Sequence, residues 1–160
     1  MELQIPKVIE CESRILVGAS ARNTLINDRT RDLWQSFMPK RNELSLISPN
    51  LYAVQVYDEI PDFTEVDPAA GFTIWAAVEA SDRHPLPAGL DLLEIAAGTY
   101  VVFTHRGHVR DFFQTLNTIF HHWLPRSPYV LDHRPHVTVM GEKYQPTSDD
   151  SEETIWIPVK

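Results

Sequence analysis

The segment Gly98 to Ser127 constrains the fold more than any other stretch, because it joins a strand pattern directly to a helix pattern. Thr99 to Thr104 is rich in β-branched and aromatic residues, which predicts a buried strand. After Gly107, apolar residues recur every three or four positions, which predicts one wide buried face of a helix. These apolar residues are Val109, Phe112, Phe113, Leu116, Ile119, Phe120 and Trp123. Pro125 should end the helix, since proline lacks an N–H and disfavours helical geometry in the residue before it.

Composition narrows the class of protein. A chain of 160 residues suits one domain, or two small halves that share a core, and 43% hydrophobic with 22% charged residues is typical of a globular protein. No apolar run approaches the ~20 residues that cross a bilayer, and the first residues do not resemble a signal peptide. We therefore expect a cytoplasmic protein with no membrane partner. The single cysteine, Cys11, rules out an internal disulfide, and a net charge of −8 argues against direct nucleic-acid binding.

The first half of the chain predicts one strand, one helix and two further strands. The predicted elements are a strand centred on Ile15 to Val17, a helix from about Asp28 to Met38, and strands Leu51 to Tyr57 and Phe72 to Ala80. Leu33, Trp34, Phe37 and Met38 form the buried side of that helix, and Pro39 should end it. The proline-rich stretch RHPLPAGL then marks a boundary between the halves.

The second half repeats this order. Strands are predicted within Leu92 to Thr104, the helix follows, and the strands Pro135 to Tyr144 and Thr154 to Val159 close the chain. Thr73-Ile74-Trp75 recurs as Thr154-Ile155-Trp156, and two other short matches lie at nearly the same offset. We therefore predict an α+β fold of one domain, residues 1–160, built from pseudo-repeats at about 8–80 and 90–160. Each repeat is a β-α-β-β unit, and the two antiparallel sheets would meet at a central cleft across a pseudo-twofold axis.

Two motifs carry a resemblance to a known family. Gly98-Thr99-Tyr100-Val101-Val102-Phe103-Thr104-His105-Arg106-Gly107 resembles the G-x-Y-x-V-F-x-H-x-G signature of the GyrI-like family, and Trp123-Leu124-Pro125-Arg126-Ser127 is similar to its W-L-P-x-S motif. Leu33 to Phe37 and Ile155 to Lys160 also fit the family. Its members are described as the effector-binding domains of AraC-type and multidrug-sensing regulators. The resemblance implies a duplicated α+β fold whose cleft holds hydrophobic, often cationic, molecules between aromatic rings.

The candidate ligand-binding residues are mostly aromatic, since tryptophan offers a large apolar area and the best face for a cation. The repeat pair Trp75 and Trp156 is the first choice. Trp34 and Trp123 lie on predicted helix faces and are equally compatible with a plain core. For Tyr57, Phe103 and Met140, packing alone is the alternative interpretation.

One position departs from the family pattern. In many members the strand after W-L-P carries F-E, and the resemblance places Val137-Thr138 there, so a threonine stands where the acid that faces the cation would be. Thr138 can form a hydrogen bond but cannot neutralise a charge. Glu79, on the face of Trp75, and Glu142, on the face of Thr138, are the candidate substitutes.

The same sequence contains residues that suggest other functions. Seven histidines suggest a metal site, but none shows the spacing of a zinc hydrolase, so we predict neither a metal nor a cofactor. His136-Val137-Thr138 resembles one H-x-T motif of the two-motif phosphoesterases, and the first half has no second copy. A hydrolase that acts on a small molecule in the same cleft, with Glu79 or Glu142 as base, stays open as the alternative function.

The predicted partner is therefore a hydrophobic small molecule. The main hypothesis is a stand-alone binding protein linked to transcriptional regulation or to ligand sequestration. The sequence leaves no room for a helix-turn-helix beside the binding fold. We thus expect any regulatory role to need a DNA-binding regulator or another protein partner.

Overall fold

A computed structural model describes residues 3–160, which form one antiparallel sheet of eight strands with the helices packed on it. The strands are β1 Lys7–Cys11, β2 Arg14–Asn23, β3 Leu46–Tyr57, β4 Phe72–Ala80, β5 Asp91–Ile95, β6 Gly98–Arg106, β7 His136–Met140 and β8 Glu152–Val159. Helix α1 spans Thr30–Lys40. The second helix, residues 112–126, consists of α2 Phe112–Thr118, a π-helical turn Ile119–Trp123 and α3 Leu124–Arg126.

The duplication is confirmed in the order of the elements. β2-α1-β3-β4 and β6-second helix-β7-β8 are the two β-α-β-β units, and their sheets join edge to edge where β3 pairs with β7. The full order is β1-β6-β8-β7-β3-β4-β2-β5. The strand before each unit pairs with the other unit. β1 precedes the first unit and pairs with β6 of the second, and β5 precedes the second unit and pairs with β2 of the first.

The sheet curls so that the end of β1 comes close to the start of β2. β1 and β2 lie near opposite edges, yet only Glu12 and Ser13 connect them, and these links span at most about 11 Å. Cys11 pairs with Gly98 and Arg14 pairs with Ile95, so the β1–β6 ladder resumes as the β2–β5 ladder after a break. The links at residues 12–13 and 96–97 lie side by side at this break. The inward surface of the curled sheet is here called the cleft face.

The helices cover the opposite surface, here called the helix face. Phe37 of α1 is fully buried against Val17, Ala76 and Val78, and Ile119 and Phe120 of the second helix pack with Val101 and other strand residues. Burying each large apolar side chain contributes about 1.5–3 kcal/mol. The cleft face has a separate cluster built on Leu16, Tyr52, Val54, Ala77 and Tyr100. In the described part of the chain, no helix is long and apolar enough to cross a membrane.

The second helix departs from its prediction at two points. Val109 and Phe113 were expected on the buried face, but they are 42% and 69% exposed, and Val109 belongs to a 3-10 turn at Val109–Asp111 that precedes α2. Pro125 was expected to stop the helix, whereas the helix continues to Arg126. Pro125 cannot donate to the carbonyl four residues earlier, and the preceding turn is accordingly widened into π geometry.

Several predicted boundaries also move. β1 was not predicted as a strand separate from β2, and β3 begins at Leu46 rather than Leu51. Pro39 lies inside the last turn of α1, since its fixed φ fits a helix and only one hydrogen bond is lost. β7 ends at Met140 instead of Tyr144.

Candidate ligand-binding site

A small cavity of about 20 Å³ opens on the cleft face beside the break between the two ladders. It is lined by Cys11, Glu12, Arg14, Leu16, Tyr52, Ile95, Tyr100, Val137, Val139 and Trp156. This volume holds about one water molecule, whereas drug-sized ligands occupy pockets of about 300–1,000 Å³. A larger ligand would therefore enter by moving side chains, and the half-buried Arg14 and Trp156 are the large ones at the rim.

Two aromatic rings form one wall of the cavity. The rings of Tyr100 and Trp156 have centroids 6.0 Å apart at an interplanar angle of 66°, which is an edge-to-face contact. Val102 and Trp156 pair across β6 and β8, so Tyr100 and Trp156 project from neighbouring strands onto the same face. The indole Nε1 of Trp156 donates to Thr154 Oγ1 at 3.0 Å. This hydrogen bond fixes the ring edge and does not involve the ring face.

An arginine lies over each of these rings. The Arg14 Cζ atom is 5.7 Å from the centroid of Trp156, and the Arg134 Cζ atom is 4.6 Å from the centroid of Tyr100. Arg134 pairs with Asp132 at 2.7 Å and donates to the carbonyl oxygens of Thr99 and Val159. Gly98 makes room for it, since a Cβ there would lie 2.6 Å from the guanidinium.

A polar pair, Tyr52 and Glu79, also lies on the cleft face. The Tyr52 hydroxyl donates to Glu79 Oε1 across β3 and β4. Burial, followed by the Glu79 hydrogen bond, raises the pKa of Tyr52 to about 12. Tyr52 therefore remains a protonated donor at neutral pH, and one carboxylate oxygen of Glu79 is already engaged.

The structure brings only part of the sequence-predicted set to the cleft face. Trp156 lines the cavity, and Trp75 packs against the cluster around Tyr52. Glu79 faces the same way through its bond to Tyr52. Three further residues line the cavity and were not among the sequence-predicted site residues: Arg14, Tyr52 and Tyr100. Tyr100 stands inside the Gly98 to Gly107 signature, so strand alternation within that motif could have identified it.

The remaining aromatic candidates lie on the helix face. Trp34 contacts Phe37 at 5.9 Å, Trp123 contacts Phe103 at 5.0 Å, and Tyr57 belongs to a cluster with Phe63, Phe72, Phe120 and His136. Met140 alternates with Val139 on β7 and so points away from the cavity. Since their partners are core residues, these side chains form no part of the site proposed below.

The expectation that Thr138 lies at the base of the cleft is wrong. Val137 and Val139 line the cavity, whereas Thr138 pairs with Ile155, a residue of the helix-face core. The match to the F-E motif assigns the cleft-facing position to Thr138, whereas in the structure the residue before it, Val137, faces the cleft. Glu142 follows the end of β7 and is exposed, so it does not face the cavity either.

Two of the buried polar residues, His105 and His136, are histidines with structural partners. His105 Nδ1 lies 2.7 Å from Thr115 Oγ1, and His136 packs among aromatic rings, where burial lowers its pKa to about 3. His136 thus lies on the face opposite the cavity, which separates the H-x-T motif from the cleft. Within residues 3–160, no three His, Cys, Asp or Glu side chains are grouped so that they could hold a metal ion.

Comparison with known proteins agrees with this architecture. A family model described as the GyrI-like small molecule binding domain matches residues 5–160. The transcriptional regulator BrlR of Pseudomonas aeruginosa is 24% identical over 123 residues, which cover 74% of this chain and 41% of BrlR. The chain therefore spans less than half the length of this curated relative.

Two solved structures show the same fold. The structure of SAV2435 bound to tetraphenylphosphonium superposes with a TM-score of 0.73 at 18% identity and covers 100% of this chain and 94% of its own. The EcmrR chain in an EcmrR–DNA complex gives a TM-score of 0.67 at 15% identity, with 99% and 57% coverage.

Proposed function

The chain belongs to the GyrI-like small-molecule-binding domain family, and we propose that it binds hydrophobic aromatic molecules on the cleft face, against Tyr100 and Trp156. The observation that carries this proposal is the division of the sheet. The helices fill one face, while the other face holds an aromatic-walled cavity beside a break in the ladder.

The proposal includes an opening step. A cavity of about 20 Å³ does not admit an aromatic ring system, so the Arg14 and Trp156 side chains must swing outward as the ligand enters. Both are half-buried and sit at the rim, whereas the Tyr52 and Tyr100 side chains are almost fully buried. The opening therefore involves side chains at the rim and leaves the strand ladders intact.

We further propose that the bound molecule is either sensed for transcription or sequestered. BrlR is a transcriptional regulator, and EcmrR has been captured on DNA. A domain of this kind would change the behaviour of a DNA-binding regulator or another protein partner when the cleft is occupied.

Calorimetric titration with 2-naphthylmethanol tests the binding proposal. We expect micromolar affinity, about 8 kcal/mol, in the wild type and at least a tenfold loss in Trp156→Leu. Trp34→Leu is the matched control, because Trp34 is also a half-buried tryptophan but lies on the helix face. Equal losses in the two variants, or no binding by a broad panel of aromatic compounds, would remove the proposal.

A hydrolase in the same cleft is the second candidate, and it rests on Glu79. This carboxylate lies on the cleft face with Tyr52 as its hydrogen-bond donor, an arrangement that could orient a general base. A hydrolysis screen should then lose activity in Glu79→Gln and keep it in Glu142→Gln, whose side chain is exposed. Activity that survives Glu79→Gln would exclude this role.

A further inference from the structure

The cleft already contains a cation over its best stacking surface. Arg14 lines the cavity, and its guanidinium carbon lies 5.7 Å from the centre of the Trp156 ring. A guanidinium over an indole face is attracted by the ring quadrupole. A cationic ligand that stacked on this face would need the position that Arg14 occupies, and it would be repelled by the like charge.

The charge of Arg14 is not balanced by a neighbour. Within residues 3–160, no carboxylate oxygen lies within 4.0 Å of its guanidinium, while Arg134 is paired with Asp132. Two acids lie nearby on the same side of the sheet. Glu12 also lines the cavity, where it is exposed in the link between β1 and β2, and Glu79 accepts a hydrogen bond from Tyr52. Arg14 therefore presents free donors to the cavity.

We propose that the cleft selects aromatic molecules that carry a carboxylate, with Arg14 as the counter-charge. This inference rests on the proposed function and specifies the ligand class of the same site. The planar fork of a guanidinium matches a carboxylate in a bidentate arrangement, and the apolar body of the ligand would lie against Trp156 and Tyr100. In this arrangement the carboxylate of the ligand pairs with Arg14, which has no carboxylate oxygen within 4.0 Å in residues 3–160.

Three ligands with one ring system separate charge from shape: 2-naphthoate, 2-naphthylmethanol and 2-naphthylmethylammonium. Calorimetric titration of the wild type should show naphthoate binding at least about tenfold more tightly than the ammonium compound, with the alcohol between them. Arg14→Gln should bring the carboxylate-to-alcohol affinity ratio to within about twofold of one. Arg14→Lys should retain part of the preference, because it keeps the charge and loses the fork.

Arg110→Gln is the matched control, since Arg110 is exposed and lies at the start of the second helix. It should leave the ratio unchanged, and naphthylmethanol binding confirms that each variant is folded. If the alcohol binds but the ammonium compound binds as tightly as the carboxylate, or if Arg14→Gln leaves the ratio unaltered, the inference is overturned and the proposed function stands. If none of the three compounds binds, the proposed function fails and the inference fails with it.

Discussion

Glu153 should make the protein less stable as the pH rises through the neutral range. Its side chain is buried on the helix face of β8, where it pairs across the ladder with the buried His105. Within residues 3–160, no hydrogen bond or ion pair serves its carboxylate, and both nitrogens of the His105 ring already lie close to Thr115 and to the carbonyl oxygen of His108. Burial therefore raises the pKa of Glu153 from 4.5 to about 7.

The direction of the change in the free energy of unfolding with pH follows from the number of protons that the folded and unfolded states bind. Between pH 4.5 and about 7, the folded protein holds a proton on Glu153 that the unfolded chain has released, so the free energy of unfolding falls as pH rises. The loss is complete above about pH 8 and amounts to about 3 kcal/mol, because each tenfold change in the protonation equilibrium corresponds to about 1.4 kcal/mol. Below pH 4.5 both states are protonated and the loss disappears.

Urea denaturation of Glu153→Gln and of the wild type, followed by circular dichroism from pH 4.5 to pH 8.5, measures this directly. The variant should be close to the wild type at the acidic end and about 3 kcal/mol more stable at the alkaline end. Buried His136 has the opposite pH trend, but it is present in both proteins and cancels in the difference. Glu142→Gln is the exposed control and should show no trend. A stability difference that stays constant across this range would refute the reasoning.

Three further outcomes follow from the packing. Val137→Glu places an acid on the cleft face and should raise the affinity for 2-naphthylmethylammonium relative to 2-naphthylmethanol about tenfold. Thr138→Glu instead buries the acid under the helices. It should lower the free energy of unfolding by about 3 kcal/mol in urea denaturation and leave the affinity ratio unchanged. Gly18→Ala should lower the unfolding midpoint sharply, with a loss of about 2 kcal/mol or more, because the added Cβ would lie 2.2 Å from a carbonyl oxygen of β4. Phe113→Ser should change the free energy of unfolding by less than about 0.5 kcal/mol, because the Phe113 ring is exposed. Phe112→Ser should lower it by about 2 kcal/mol, because Phe112 packs against the helix-face core.

The sequence predicts the parts of this fold that depend on local periodicity. The alternation of Phe72 to Ala80 assigned Trp75 and Glu79 to one face, and the structure places both on the cleft face. The repeat of Thr73-Ile74-Trp75 likewise led to Trp156, which lines the cavity. Alternation in these two strands is readable because polar residues such as Thr73, Glu79 and Thr154 alternate with apolar ones.

The register of β7 could not be read in the same way. His136, Val137 and Thr138 are all buried, so the strand shows no contrast between an apolar and a polar face. A shift of one residue then sends every side chain to the other face, and Thr138 was assigned to the wrong one. Only pairing with Ala53 and Ile155 fixes the register, and both partners are distant in sequence.

Arg14 was missed for a related reason. Its place in the cavity depends on β5, which pairs with β2 although it precedes the other repeat, and no local pattern indicates this exchange. A strand that opens with an arginine looks like an ordinary solvent-exposed end. Long-range strand pairing therefore places Arg14 in the cavity, and Arg14 is the residue that we propose sets the charge preference of the site.

The four indole N–H signals offer the most direct test of the claim that ligands bind on the cleft face. Trp75 and Trp156 lie on the cleft face, and Trp34 and Trp123 lie on the helix face, so indole-15N NMR reports on both surfaces in one titration. Signals are assigned with single Trp→Phe variants, and the ligand is 2-naphthylmethanol. We predict that ligand binding moves the Trp156 signal most, while the signals of Trp34 and Trp123 stay in place. Shifts at Trp34 or Trp123 with an unmoved Trp156 signal would contradict it.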